Sequence, residues 1–191
     1  MRTGNISRET RETRVRVAVD LDGAGKASIR MPSRFLSHML TSLATHSMFD
    51  IEVDAEGDLA HHVSEDAAIC LGQAIKAALG DYRGIARFGY ASVPMDDALA
   101  SAALDLSNRP YTAIDLKTEG YVVEDTPCED VHHFLASFAQ ALGATLHLRV
   151  EYGQNDHHKA EAAFKALALS LRMAVAPDPK RSGVPSSKES M

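Results

Sequence analysis

The sequence predicts an α+β protein made by tandem duplication, each unit a small sheet with two helices on one face, the helices packed between the two sheets. Three observations carry this. His38-Met-Leu-Thr-Ser-Leu-Ala, an alternating FDIEVDAEG and His61-His62-Val-Ser-Glu65 recur as His133-Phe-Leu-Ala-Ser-Phe-Ala, TLHLRVEYG and His157-His158-Lys-Ala-Glu161. The copies are offset by 95, 96 and 96 residues, half of a 191-residue chain. Within each copy the strands and helices are apolar on one side only, and such elements bury each other when the helices lie between two sheets. The units are expected at residues 1–85 and 86–176, with a tail at 177–191, all within one compact domain.

In the first unit Val15, Val17 and Val19 alternate with polar or small residues, Asp22-Gly23 supplies a turn, and Ile29 with Met31 continues as a second strand, so the segment reads as a hairpin. Ser33 is a candidate N-cap for a helix whose apolar stripe is Phe35, Leu36, Met39, Leu40 and Leu43, with His38 beside it. Phe49, Ile51, Val53 and Ala55 alternate with acids, the pattern of a strand with one wet face. A helix is expected from Ser64 to Leu79, ended by Gly80, which reaches left-handed conformations without steric cost.

In the second unit FGYASVPM and YTAIDLK read as strands around an alanine-rich stretch, Ala98 to Leu106, whose period does not separate helix from strand. Thr126-Pro127-Cys128-Glu129 has the form of a capping box with proline at the first helical position. It opens a helix with Val131, Phe134, Leu135, Phe138 and Leu142 inward. Leu146, Leu148 and Val150 mark a strand. Asn155 or Asp156 caps a last helix with Phe164, Leu167, Leu171 and Val175 inward, and Pro177, Pro179, Gly183 and Pro185 keep the tail from continuing it.

Composition narrows the function. The chain is 45% hydrophobic and 24% charged, the balance of a globular protein, and has no apolar run long enough for a membrane span. Its polar start, MRTGNISRETRETR, lacks a leader's apolar core, so a cytoplasmic protein without a membrane partner is expected. Cys70 and Cys128 form neither a disulfide framework nor a CxxC, and Cys70 falls in an apolar helical stretch. A net charge of −6, with no basic run, leaves no footprint for nucleic acid.

Six of the nine histidines form adjacent pairs. On a helix His61 and Glu65 are four apart and His62 and Glu65 three apart, so the carboxylate lies near both rings. Adjacent histidines diverge by about 100° around the axis and suit two different ions better than one. His157, His158 and Glu161 repeat the pattern, and His38 and His133 each add an imidazole from the preceding helix of their own unit. Eight ligands for two octahedral ions leave about four positions open, which points to catalysis. His46, His132 and His147 have no counterpart in the other unit and read as surface or packing residues.

These residues resemble the imidazoleglycerol-phosphate dehydratase family over nearly the whole chain. The matching runs are RETRETRVRV, the long segment from EDAAICLGQ to LDLSNRPY, NDHHKAEAAFKALALSLR and GVPSSKES. The resemblance implies a metal-dependent hydro-lyase of histidine biosynthesis that converts imidazoleglycerol phosphate to imidazoleacetol phosphate. It implies metal ligands at His38, His61, His62, Glu65, His133, His157, His158 and Glu161, holding two Mn2+ per active site, although such ligands suit other divalent first-row ions too. Substrate contacts are implied at Glu12, Arg87, Arg109, Lys165, Ser186 and Lys188. It further implies a homo-oligomeric shell of about twenty-four subunits with metal sites shared between chains.

Arg87, Arg109 and Lys188 are the cations a phosphate needs, with Ser186 a hydroxyl donor, although on residue type alone each reads as a surface charge. The hydrogen lost in such a dehydration is on a carbon that is not acidic, so two ions that draw the substrate ring toward imidazolate would activate it. Glu12 is the residue assigned to proton transfer, with a metal-bound hydroxide as its competitor, and Glu161 and Lys165 complete the catalytic set. Two rival readings remain, a two-metal hydrolase of a small phosphorylated substrate and a non-catalytic metal-dependent assembly protein. Ferritin-like storage would need long helices with ExxH spacing, against the strands that precede each helix here.

Overall fold

The computed structural model describes residues 1–188, so the end of the expected tail, 189–191, lies outside the described residues. The chain runs β1 (Thr3–Glu9), β2 (Thr13–Asp20), β3 (Ala27–Arg30), α1 (Arg34–Ser47), β4 (Asp50–Gly57) and α2 (Ala60–Leu79). It then repeats the order as β5 (Phe88–Met95), β6 (Ala98–Asp105), β7 (Tyr111–Asp115), α3 (Cys128–Leu142), β10 (Thr145–Tyr152) and α4 (Asp156–Val175), with a small pair, β8 (Val122–Val123) and β9 (Thr126–Pro127), inserted before α3.

The two sheets have the same topology, β1-β2-β4-β3 and β5-β6-β10-β7. In each, the first three strands of that order pair antiparallel and the last pair is parallel. The expected duplication is thus present, with one pairing corrected. β2 and β3 do not form a hairpin. β2 pairs with β1 and β4, and β3 lies parallel to β4 on its far side. The true hairpin joins β1 to β2, and β1 was hidden because its outward residues are polar and its inward face includes Gly4.

Close approach explains that glycine. A Cβ on Gly4 would sit 2.0 Å from the Ala74 carbonyl oxygen of α2, and one on its counterpart Gly89 would sit 1.9 Å from the Ser170 carbonyl oxygen of α4. Each long helix therefore lies directly on the first strands of its own sheet. The ambiguous stretch 98–105 is β6, a central strand whose inward Ala98, Ala100 and Ala102 are nearly fully buried. Small inward residues let α4 come close enough for Ser170 Oγ to donate to the Ala102 carbonyl.

Between the sheets the helices pair across the halves, α1 on α4 and α2 on α3. Their apolar faces meet in one core that includes Leu36, Met39, Leu40, Leu71, Phe134, Phe138, Phe164 and Leu167. Each such side chain contributes roughly 1.5–3 kcal/mol when fully withdrawn from water. Gly72 marks a close crossing of α2 and α3, since a Cβ there would meet the Phe138 carbonyl oxygen at 2.5 Å.

Ser33 caps α1 by accepting from the Leu36 N–H, and Asn155 caps α4 by accepting from the His157 N–H. α2 begins at Ala60, a turn earlier than Ser64, which places His61 and His62 in its first turn. Gly80 closes α2 at φ 60° and ψ −118°, outside the left-handed helical region but still at a φ that glycine takes easily. Pro127 is the N-cap of α3 and not its first helical residue, and no side chain caps this helix. Thr126, the expected cap, instead hydrogen-bonds Ser33 Oγ at 2.6 Å.

Candidate active site

The four helix N-termini gather at one end of the molecule. Asp125, just before α3, accepts from the Arg34 and Phe35 N–H groups at 2.7 and 3.0 Å and so joins the starts of α1 and α3. The start of α1 meets that of α4 through His38 and Glu161, and α2 meets α3 through His61 and Asp130.

Two histidine–carboxylate clusters result. In the first, His38 Nε2 lies 3.6 Å and His157 Nε2 3.4 Å from Glu161 Oε2. All three offer a ligand atom within 4.8 Å of the others. In the second, His133 Nε2 is 3.3 Å from Glu65 Oε1, and the His61 and His133 rings stand 5.1 Å apart. Glu65 is 40% exposed against 10% for Glu161, so the second cluster is the more open.

These memberships correct the expected ligand grouping. The sequence groups His38 with the His61–Glu65 element of its own unit and His133 with the His157–Glu161 element. The structure exchanges them, because α1 packs on α4 and α3 on α2. The predicted divergence within each pair is present. The rings of His61 and His62 are 6.1 Å apart and those of His157 and His158 6.2 Å, both steeply inclined. His62 and His158 therefore point away from the clusters that their neighbours enter.

The donor set suits a divalent first-row ion. In the first cluster two imidazole nitrogens and a carboxylate oxygen lie close enough to share one, and three protein donors leave positions for solvent or substrate. Burial opposes the charge on Glu161, but the Lys165 ammonium at 2.9 Å, with His38 and His157, outweighs it and holds the carboxyl below its ordinary value. A carboxylate kept ionised is ready to bind a cation.

Carboxylates that the sequence reading did not single out hold the outer nitrogens of these rings. Asp130 meets His61 Nδ1 at 2.6 Å, Asp58 meets His62 Nδ1 at 2.9 Å, Glu124 meets His157 Nδ1 at 3.0 Å and Asp97 meets His158 Nδ1 at 2.5 Å. Hydrogen bonds to Asp58 and to Asp97 raise the His62 and His158 pKa values above normal. Asp97, Glu124 and Asp130 reach their histidines only through the tertiary fold, whereas Asp58 lies four residues before His62 and makes a local contact.

Of the expected substrate contacts, Glu12 and Lys165 lie at this end. Glu12, in the β1–β2 turn, places Oε2 3.8 Å from His62 Nδ1. An open pocket of about 370 Å³ adjoins the first cluster, lined by Arg34, Phe35, His38, Glu124, Asp125 and His157.

Arg87, Ser186 and Lys188 lie elsewhere in the chain. The Arg87 N–H donates to the Ala174 carbonyl near the end of α4. Thirteen residues of helix separate Ala174 from Glu161, about 20 Å. Its guanidinium makes two bonds to Asp105, at 2.6 and 2.9 Å, and a third to the Pro185 carbonyl at 2.7 Å. Arg87 thus anchors the tail beside Ser186, whose Oγ accepts from the Lys188 N–H at 3.1 Å. Arg109 sits by the C-terminal end of α3, where its carbonyl accepts from Thr145 Oγ1. One chain alone does not bring the expected phosphate residues to the expected metal residues.

His46, His132 and His147 enter neither cluster. Cys70 is fully buried, and burial pushes its thiol up to about 11, so no thiolate is available there at neutral pH. Among the described residues no helix is long and apolar enough to cross a membrane.

Two like sheets around four helices, with mixed imidazole–carboxylate clusters at the helix N-termini, define a duplicated α+β protein, and one of those clusters could hold a metal ion. The chain belongs to the imidazoleglycerol-phosphate dehydratase family, whose profile matches residues 31–171. The imidazoleglycerol-phosphate dehydratase of Methanothermobacter thermautotrophicus is 50% identical over 178 residues, 92% of this chain and 91% of that protein. That of Methylorubrum extorquens is 48% identical over 195 residues, covering 100% of both chains. Two crystal structures share the fold. The Staphylococcus aureus enzyme superposes with a TM-score of 0.84 at 30% identity, covering 92% of this chain and 99% of that one. The Pyrococcus furiosus enzyme, in complex with (S)-C348, gives 0.84 at 34% identity, covering 97% and 100%.

Proposed function

We propose that this chain is a two-metal hydro-lyase that dehydrates imidazoleglycerol phosphate to imidazoleacetol phosphate in histidine biosynthesis. Family membership supports the reaction. The observation that carries the metal reading is the pair of like clusters, His38–His157–Glu161 and His61–His133–Glu65, each assembled from both halves. These residues would hold the two ions, for which Mn2+ is the proposed occupant. Bound there, the ions supply Lewis-acid polarisation of the substrate's imidazole ring.

The chain's own groups do the remaining work. Glu12 stands on an exposed turn at the same end as the clusters, and its Oε2 is the proposed acceptor of the proton lost from carbon. Lys165 Nζ keeps Glu161 ionised and presents further charged donors beside it for a substrate oxygen. Phe35 and Asp125 wall the adjoining pocket, whose size suits a small phosphorylated molecule.

The phosphate group is assigned to Arg87, Arg109, Ser186 and Lys188. Because Arg87 and the tail sit about 20 Å from the first cluster along α4, the complete site needs a second copy of the chain. This supports the symmetric homo-oligomer, a shell of about twenty-four subunits with shared metal sites. His62 and His158, which face away from their own clusters, would then serve ions held with a neighbour. A cytoplasmic location belongs to the same proposal.

Product analysis tests the reaction. Incubation with imidazoleglycerol phosphate and Mn2+ should form a ketone with no free phosphate. Release of phosphate would favour a hydrolase, and neither product would favour a metal-dependent assembly protein.

A further inference from the structure

The histidine pairs hold a regularity that the duplication itself does not produce. All four rings present Nδ1 to a carboxylate, at 2.5 to 3.0 Å, yet the carboxylates are not counterparts of one another.

Consider His61 and His157, which occupy equivalent places in α2 and α4. His61 is held by Asp130 in the first turn of α3. The residue of α1 that corresponds to Asp130, by the 95-residue offset relating His38 to His133, is Phe35. Phe35 packs edge-on to the His157 ring, at 5.2 Å, and cannot accept from it. The missing acceptor comes from the inserted β8–β9 turn, where Glu124 reaches His157 Nδ1. Glu124 does so with φ at 54°, a backbone conformation that non-glycine residues seldom adopt.

His62 and His158 diverge in the same way. Asp97, in the β5–β6 turn, takes His158 Nδ1. Its counterpart in the β1–β2 turn is Glu12, by the 85-residue offset that relates Gly4 to Gly89 and Val15 to Ala100 on either side of the turn. Glu12 stands back at 3.8 Å, because Asp58 from the β4–α2 loop has taken His62 Nδ1 instead.

We propose that Asp58, Asp97, Glu124 and Asp130 are positioning residues that fix each ring as the Nδ1–H tautomer, so that Nε2 is the nitrogen offered to metal. Carboxylates drawn from four unrelated segments meet one geometric requirement. A neutral imidazole binds an ion through the nitrogen that lacks the proton, and a carboxylate at the other nitrogen settles which one that is and strengthens it as a donor. In the first unit the same substitution of partners leaves Glu12 free of a close histidine bond. The inference rests on the two-metal reading above and adds residues that act on the ions only through the histidine rings they hold.

Glu124 is the cleanest probe. It is 59% exposed, and among the described residues its side-chain hydrogen bond and ion pair go to His157, so its loss should not unfold the protein. Mn2+ titration of the metal-stripped protein should show Glu124→Ala weakened about 10- to 100-fold, with its metal-free melting temperature unchanged. Glu124→Gln, whose amide oxygen still accepts from Nδ1–H, should recover part of the affinity, and Asp58→Ala should repeat the loss. Solid-state 15N spectra of histidine-labelled, metal-free wild type should show the paired rings as Nδ1–H, with an Nε2–H population appearing in Glu124→Ala. Wild type that binds no Mn2+ would end both the two-metal reading and this inference. Wild-type binding with unweakened variants, or paired rings that are Nε2–H in wild type, would overturn this inference alone.

Discussion

His38 and Glu161 stand 3.6 Å apart although they belong to different halves of the duplicated chain. The paired contact, His133 with Glu65, crosses in the opposite sense at 3.3 Å. Neither half therefore carries a complete cluster, and the packing of α1 on α4 and α2 on α3 assembles both. Duplication here supplied the two halves of one core and, through that core, the two clusters.

The carboxylates of the clusters should not be equivalent. Glu161→Gln removes the carboxylate ligand of the better-buried cluster and leaves Lys165 without its 2.9 Å partner. It should lower metal content and activity together and cost about 1–3 kcal/mol of stability in the metal-free protein. Glu65→Gln, at a 40% exposed site, should lower metal content and activity with little effect on metal-free stability. Metal analysis beside denaturant unfolding separates the two.

Glu12→Gln tests the proton transfer. With Asp58 holding His62, the Glu12 carboxylate is not needed to fix that ring. The variant should keep its metal and its KM yet lose turnover by about 10²-fold or more. Full turnover would remove Glu12 from the mechanism.

Arg87 is more than a phosphate contact. Its three hydrogen bonds tie β5 to β6 and to the tail at Pro185, and its side chain is only 12% exposed. Arg87→Ala should therefore retain metal, raise KM, and also destabilise the fold by roughly 2–3 kcal/mol, because Asp105 loses a charged partner. Chemical denaturation and steady-state kinetics on one preparation check both effects. From the family resemblance alone only the weaker substrate binding would be expected.

Much of this was legible in the sequence, and the exceptions have physical causes. The recurrence of HHxxE, the one-faced strands and the Ser33 and Asn155 caps follow from local spacing and local hydrogen bonds. The partner of β3 does not, since a turn signal at Asp22-Gly23 says that the chain reverses but not which strand it joins. β6 was ambiguous because alanine suits a helix, and only burial under α4 makes small residues the right choice in a central strand. The Thr126-Pro127 segment matched a capping pattern, but Ser33 competes for the threonine hydroxyl. The exchange of His38 and His133 between clusters depends on helix pairing, which no local pattern encodes.

Asp125 couples the start of α1 to acid stability. Burial alone would raise its pKa, but the N–H groups of Arg34 and Phe35 and the Thr126 hydroxyl prevail and hold it below the ordinary value. A carboxyl depressed in the folded state contributes stability that is present above its unfolded pKa, about 3.9, and is lost as pH falls through the folded value. Asp125→Ala should cost about 1 kcal/mol at neutral pH and show a shallower loss of melting temperature from about pH 4 downward. An acid limb as steep as that of wild type would contradict this assignment.

The central claim is that activity resides in ions held by clusters built from both halves. It is tested most directly by stripping the protein with a chelator, measuring its turnover of imidazoleglycerol phosphate, and titrating Mn2+ back while counting bound ions per chain. The account predicts that turnover is lost on stripping and returns in step with binding, reaching its limit at two ions per chain. Full activity in the metal-free protein would contradict it.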